Sequence, residues 1–175
     1  MELTLERGYD HVTIQDILDK ADVGRSTFYA HYRDKDDLLV SEFEALHPNW
    51  SQYLEADQGS GQPGVGLLEP LRTAFRDAGS NRRQFKAMLG SQGSETVRRL
   101  LPEPLSRMVR DLILSNYPHA TGNGPQLHVA VQFIVSAFLG TLTWWLDTDA
   151  PFTADDIFEA CQKLTVDGAA AFLKS

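Results

Sequence analysis

The sequence predicts an all-α protein with a small helix-turn-helix head at its start and a larger helical body behind it. Three observations carry that expectation. Apolar residues recur at helical spacing along almost the whole chain, and almost no stretch alternates with period two. Between Thr13 and Tyr32, two short helical patterns flank a tight turn. Further on, Leu127–Leu146 runs for 20 residues without a formal charge, and a second apolar helical pattern follows it.

The elements follow in chain order. Ile14, Ile17, Leu18 and Ala21 stand at i, i+3, i+4 and i+7, one face of a helix. Thr13 is placed to cap that helix, and Asp16 favours its positive end. The turn is Ala21-Asp22-Val23-Gly24, where Asp22 tolerates a left-handed backbone better than most non-glycine residues. A short helix then runs from about Arg25 to Tyr32. Asp34 caps the next helix, which carries Leu38, Leu39, Phe43 and Leu46 and ends or kinks at Pro48. Residues 57–66, rich in glycine, form a loop. Further helices are expected at about 67–78, 82–91, 94–116, 126–147 and 154–173. The head is expected to span residues 1–46 and the body residues 47–175.

Bulk properties narrow the function. The 175 residues are 42% hydrophobic and 23% charged, ordinary for a globular chain. A net charge of −8 gives no general attraction to nucleic acid or anionic lipid, so any DNA contact must come from a local patch. Cys161 is the only cysteine, which excludes an internal disulfide and a thiol-based metal site, and fits a reducing cytoplasm. The opening residues carry Glu2, Glu6 and Asp10 and no apolar run, so no secretory leader is expected.

The head has the chemistry of a major-groove reader. Ile14, Ile17, Leu18, Ala21, Val23 and Phe28 are expected to share a core, with Ala21 small where the helices approach. The second helix then offers Arg25, Ser26, Thr27, Tyr29, Ala30 and His31 outward. Arg25 suits a guanine edge, and Thr27 a base or a thymine methyl. Tyr29, His31 and Lys35 suit phosphates, which fix register without reading sequence. Asp34 would leave amides at the next helix start free for a phosphate. Tyr32 is expected to pack.

The stretch from Gly8 to Leu39, GYDHVTIQDILDKADVGRSTFYAHYRDKDDLL, resembles the head signature of the tetracycline-repressor family. The matching features are Gly-aromatic, Thr before the second helix, Ala-x-Val in the turn, Thr-aromatic-Tyr-x-His-aromatic, and a Lys near the next helix start. The resemblance implies a dimeric transcriptional repressor that binds double-stranded operator DNA and is released by a small-molecule effector. It implies that Thr13 precedes the reading unit, that Arg25, Ser26, Thr27 and Ala30 face bases, and that Tyr29, His31 and Lys35 meet phosphate. Two features depart from the pattern. Only Met1–Arg7 precede Gly8, and Thr4 stands where an apolar residue is usual, so a truncated first helix is expected. The head is also acidic: up to Leu46, five bases face eleven acids, or −6, although Gly24–Lys35 alone carries +2. DNA affinity is therefore expected to be modest and strongly salt-dependent.

In the body, Leu127–Leu146 is long enough to span a bilayer. His128, Gln132, Ser136, Thr141 and Thr143 interrupt it, and Asp147 follows without a flanking cation, so no membrane is expected. The last helix offers Ile157, Phe158, Cys161, Leu164, Val166, Ala169, Ala170 and Phe172. These two helices are expected to build a homodimer interface. An effector pocket is expected among Trp50, Tyr53, Phe75, Phe85, Met88, Leu89, Gln92, Met108, Tyr117, Phe133 and Trp144. No cofactor and no metal are expected. His11, His31, His47, His119 and His128 form no H-x-x-x-H pair, and no phosphate loop or nucleophile elbow is present, so no catalytic residue is expected. The competing reading is a helical protein-interaction domain whose acidic head no longer binds DNA.

Overall fold

The computed structural model describes residues 2–45, 68–116, 125–148 and 150–173, and these form helices with no strand among them. The head comprises α1 (Glu2–Arg7), a 3-10 turn (Tyr9–His11), α2 (Ile14–Ala21), α3 (Arg25–His31) and α4 (Lys35–Ala45). The body comprises α5 (Glu69–Ser80), α6 (Arg82–Leu89), α7 (Glu95–Leu100), α8 (Pro102–Asn116), α9 (Pro125–Asp147) and α10 (Ala154–Leu173). The helix expected over 94–116 is divided at Leu101. Pro102 has no N–H to donate, and its ring crowds the carbonyl four residues back.

Local chemistry sets the head's helix ends. The Thr13 hydroxyl accepts the Asp16 amide at 3.2 Å, and the Asp16 carboxylate accepts the Thr13 amide at 2.9 Å. This reciprocal capping box starts α2. Asp22 ends it in the left-handed region, at φ 53° and ψ 46°. Gly8, at φ 75°, makes the other turn that a side chain would strain. The Asp34 carboxylate accepts the Asp37 amide at 2.8 Å and so caps α4.

The head's interior differs from the sequence expectation. Leu18 and Phe28 are buried, Ile14 and Ile17 are half-buried, and Ala21 and Val23 are exposed. Tyr9 and Val12, from the 3-10 turn and the residue after it, fill the interior instead. One face of α2 therefore divides its apolar residues between the head's core and the side that looks toward the body.

The body closes on aromatic rings. Phe75 of α5 meets Phe138 of α9 at 6.0 Å and Phe158 of α10 at 6.3 Å between centroids, both edge-to-face. The Trp145 indole N–H donates to the Phe152 carbonyl at 3.1 Å. Arg82 lies over the Trp145 ring and donates to the carbonyls of Trp145, Leu146 and Thr148, which satisfies the end of α9. By length and composition α9 is, among the described residues, the one helix that could cross a membrane; its inner face lies in the core against α6, α8 and α10.

Phe158 touches no solvent and holds three body helices together, so Phe158→Ala is expected to lower unfolding stability by about 3–5 kcal/mol. Urea denaturation followed by circular dichroism measures it; a loss below about 1 kcal/mol would mean that this ring cluster is not the body's core.

Candidate nucleic-acid interface

Helix α3 has one inward side chain and a ring of outward ones. Phe28 is 5% exposed and packs beneath Tyr29 and Tyr32 at centroid distances of 5.4 and 5.6 Å. Arg25, Ser26, Thr27, Tyr29, Ala30 and His31 are all exposed, with half of Tyr29 open to solvent. Seven residues suffice for this division because the helix turns once in 3.6 residues, so a single anchor leaves the rest of the circumference outward.

Thr13 is exposed at the start of α2, and its hydroxyl also donates to the Asp16 carboxylate at 2.6 Å. Its side chain therefore fixes the helix start. Arg25 is held from the neighbouring helix. One guanidinium nitrogen donates to the Gln15 side-chain carbonyl at 3.0 Å, and the Gln15 amide donates to Asp19 at 2.7 Å. Sequence reasoning passed over Gln15 because, at an outward position of α2, a polar residue reads as an ordinary solvated one. Only its proximity to Arg25 across the turn gives it a role.

Lys35, expected to meet phosphate, is engaged within the head. Its ammonium donates to the carbonyls of Tyr9 at 3.0 Å, Asp10 at 3.2 Å and Val12 at 2.9 Å, and lies 4.7 Å from the centre of the Tyr9 ring. An ammonium has three donors, and all three are engaged within the head. The Tyr9 hydroxyl returns the contact, donating to the Lys35 carbonyl at 3.0 Å and to Asp36 at 2.7 Å. Burial, and then the hydrogen bond to Asp36, hold the Tyr9 phenol far above its ordinary pKa. Arg33, also on this side of the head, pairs with Asp37 at 2.8 Å.

The same turn joins the head to the body. Ser94, buried at the start of α7, donates its hydroxyl to Asp10 at 2.9 Å and accepts the Val97 amide at 3.1 Å. Hydrogen bonds from Thr96 and Ser94 hold the Asp10 carboxyl below the usual carboxylate range. Beside this joint, α1 packs against α6.

Of the residues expected to form an effector pocket, the described ones lie in several places. Phe85 and Met88 line a cleft between head and body. Phe75 and Leu89 are buried in the packed core, and Met108 lies partly buried against it. Gln92 is exposed in the turn before α7. Phe133 and Trp144 are about half exposed on the outer face of α9. Trp50, Tyr53 and Tyr117 lie outside the described residues.

With that geometry in view, comparisons give consistent relatives. Residues 1–41 match the family described as bacterial regulatory proteins, tetR family. Residues 68–167, more than half of the chain, match the family described as transcriptional regulator C-terminal region. A stretch of 76 residues, 43% of the chain, is 28% identical to the HTH-type transcriptional regulator TcmR of Streptomyces glaucescens. That match spans 32% of TcmR, about a third of its length. Among solved structures, a TetR-family transcriptional regulator from Syntrophomonas wolfei superposes with a TM-score of 0.62 at 20% identity, over 97% of this chain and 90% of that one. A TetR transcriptional regulator from Streptococcus agalactiae superposes with a TM-score of 0.57 at 26% identity, over 94% and 87%.

The carbonyl cage predicts the effect of removing the Lys35 charge. Lys35→Met keeps the stem but leaves three carbonyls without their donor, and is expected to lower stability by about 2 kcal/mol. Thermal or urea unfolding measures it; a variant as stable as the parent would return Lys35 to the pool of free cations.

Proposed function

Because the chain belongs to the tetR family of bacterial regulatory proteins, we propose that it is a cytoplasmic DNA-binding transcriptional regulator, a repressor released by a small-molecule effector. One observation carries the reading: Phe28 turns inward while Arg25, Ser26, Thr27, Tyr29, Ala30 and His31 are all exposed. Arg25 reaches a guanine edge, with Gln15 orienting it. Ser26, Thr27 and Ala30 lie against bases, and Tyr29 and His31 meet phosphate. Thr13 holds the start of α2 beside them, and Lys35 supports the unit from within. Head (residues 1–46) and body (residues 47–175) divide reading from sensing.

The proposed active form is a homodimer. Val129, Phe133 and Trp144 of α9 and Leu164 of α10 are at least half exposed, a concentration of large apolar side chains on the last two helices. Along α9, Val129, Phe133, Ser136 and Ala137 line an open groove. A second copy covers such a face by two-fold symmetry, and so sets two reading helices on one palindromic site. The rival interaction-domain reading draws on the acidic head, and DNA binding separates the two.

Purified protein incubated at low salt with random DNA fragments is expected to select a pseudo-palindrome whose half-sites lie about one helical turn, ~10 bp, apart. Arg25→Ala is expected to weaken binding to that site by about 1–3 kcal/mol and to relax one position in each half-site, read by gel shift across single-base variants. Selection of no common sequence sinks the reading.

Phe133→Asp places a charge on the apolar groove and is expected to shift the chain from dimer to monomer by light scattering, at least tenfold in dissociation constant or about 1.4 kcal/mol. An unchanged mass at every concentration would place the interface elsewhere.

A further inference from the structure

The apolar face of α2 that the head does not bury looks onto a cleft of about 530 Å³. Ile17 and Ala21 of α2 and Leu38 and Leu39 of α4 form its head side, and Phe85 and Met88 of α6 form its body side. This volume is in the range of sites for drug-sized molecules, roughly 300–1,000 Å³. The walls are mainly apolar.

The charges around it define the guest. Lys20, Lys35 and Glu42 border the cleft, so both signs are present. The Lys35 ammonium is already satisfied by three carbonyls, and Lys20 and Glu42 are exposed to solvent. A charged guest would lose water against an apolar wall without gaining a dedicated partner, which costs free energy. An uncharged apolar guest gains from burial alone.

We propose that this cleft binds a drug-sized, uncharged, predominantly apolar molecule, and that its occupant clamps the head onto α6. Neither wall is a site by itself. The head supplies α1, α2 and α4 and the body supplies α6, so a head that swings away dismantles the cleft. A guest therefore favours the docked arrangement by an amount that grows with its concentration relative to its dissociation constant. Docking fixes where α3 points relative to the body, so the guest alters DNA affinity and DNA alters guest affinity. That consequence rests on the regulator reading; the site itself does not.

The test uses the full chain and the uncharged apolar dye Nile red. Fluorescence titration is expected to show saturable binding. Ala21→Trp and Glu42→Trp, both at exposed positions and checked for folding by circular dichroism, are each expected to fill the cleft and weaken binding at least tenfold. Phe152→Ser, at an exposed position before α10 and away from the cleft, is expected to leave affinity within about twofold. Bound dye is also expected to slow amide exchange in α1 and α6 together. The proposal is overturned by a parent chain that binds no dye saturably, by folded tryptophan variants that both bind as the parent does, or by exchange in α1 that the dye leaves unchanged. If these results hold while no DNA is selected, the regulator reading fails and the cleft remains.

Discussion

The head depends on one ammonium group. α1 and the 3-10 turn are too short to bury a substantial core of their own, and among the described residues Tyr9, Val12, Leu18 and Phe28 are the head's buried hydrophobic ones. Lys35 compensates by gathering the carbonyls of Tyr9, Asp10 and Val12 under a single charge. Charge-assisted hydrogen bonds are about twice as strong as neutral ones, so a few atoms define the angle between the turn and α4. The Tyr9 hydroxyl locks the arrangement from the other side. α2 and α3 are then presented by a scaffold in which polar contacts join a small buried set.

The same turn connects inward to the body. Asp10 faces the Ser94 hydroxyl at the start of α7, two residues from the Val12 carbonyl that Lys35 holds. Three helices of the molecule thus meet at one short segment: α4 through Lys35, α7 through Ser94, and α1 through Gly8. The cleft opens beside this joint, bounded by Tyr9 and Val12 as well as by the flanking helices. Ser94 and Asp10 thus tie the start of α7 to the segment that Lys35 holds at the start of α4.

Much of this was legible in the sequence. The helices could be placed because apolar spacing, the Thr13–Asp16 cap, Asp22 and Asp34 each act within a few residues, where sequence distance and spatial distance agree. Phe28 as the inward residue of α3 followed from the same periodicity. The failures share a cause. Lys35 read as a surface cation because nothing in its neighbourhood along the chain announces carbonyls 23 to 26 residues away. Ala21 and Val23 read as core because a helix face carries no mark of which neighbour covers it. Aromatic and methionine side chains serve packing and binding equally well, so their spacing could not separate the two uses: Phe75 lies in the ring cluster, while Phe133 and Trp144 face outward.

The head's acidity has a consequence for how such a protein spends its time in a cell. Lys35 is enclosed and Arg33 is neutralised by Asp37, which leaves Arg25 as the cation of this segment whose partner, Gln15, is uncharged. Bulk chromosome is a vast competitor, and proteins with strongly basic faces are held on it nearly all the time. So thin a positive surface offers little to that competition. On the proposed reading, such a head gains little from phosphate alone and leaves bulk chromosome readily.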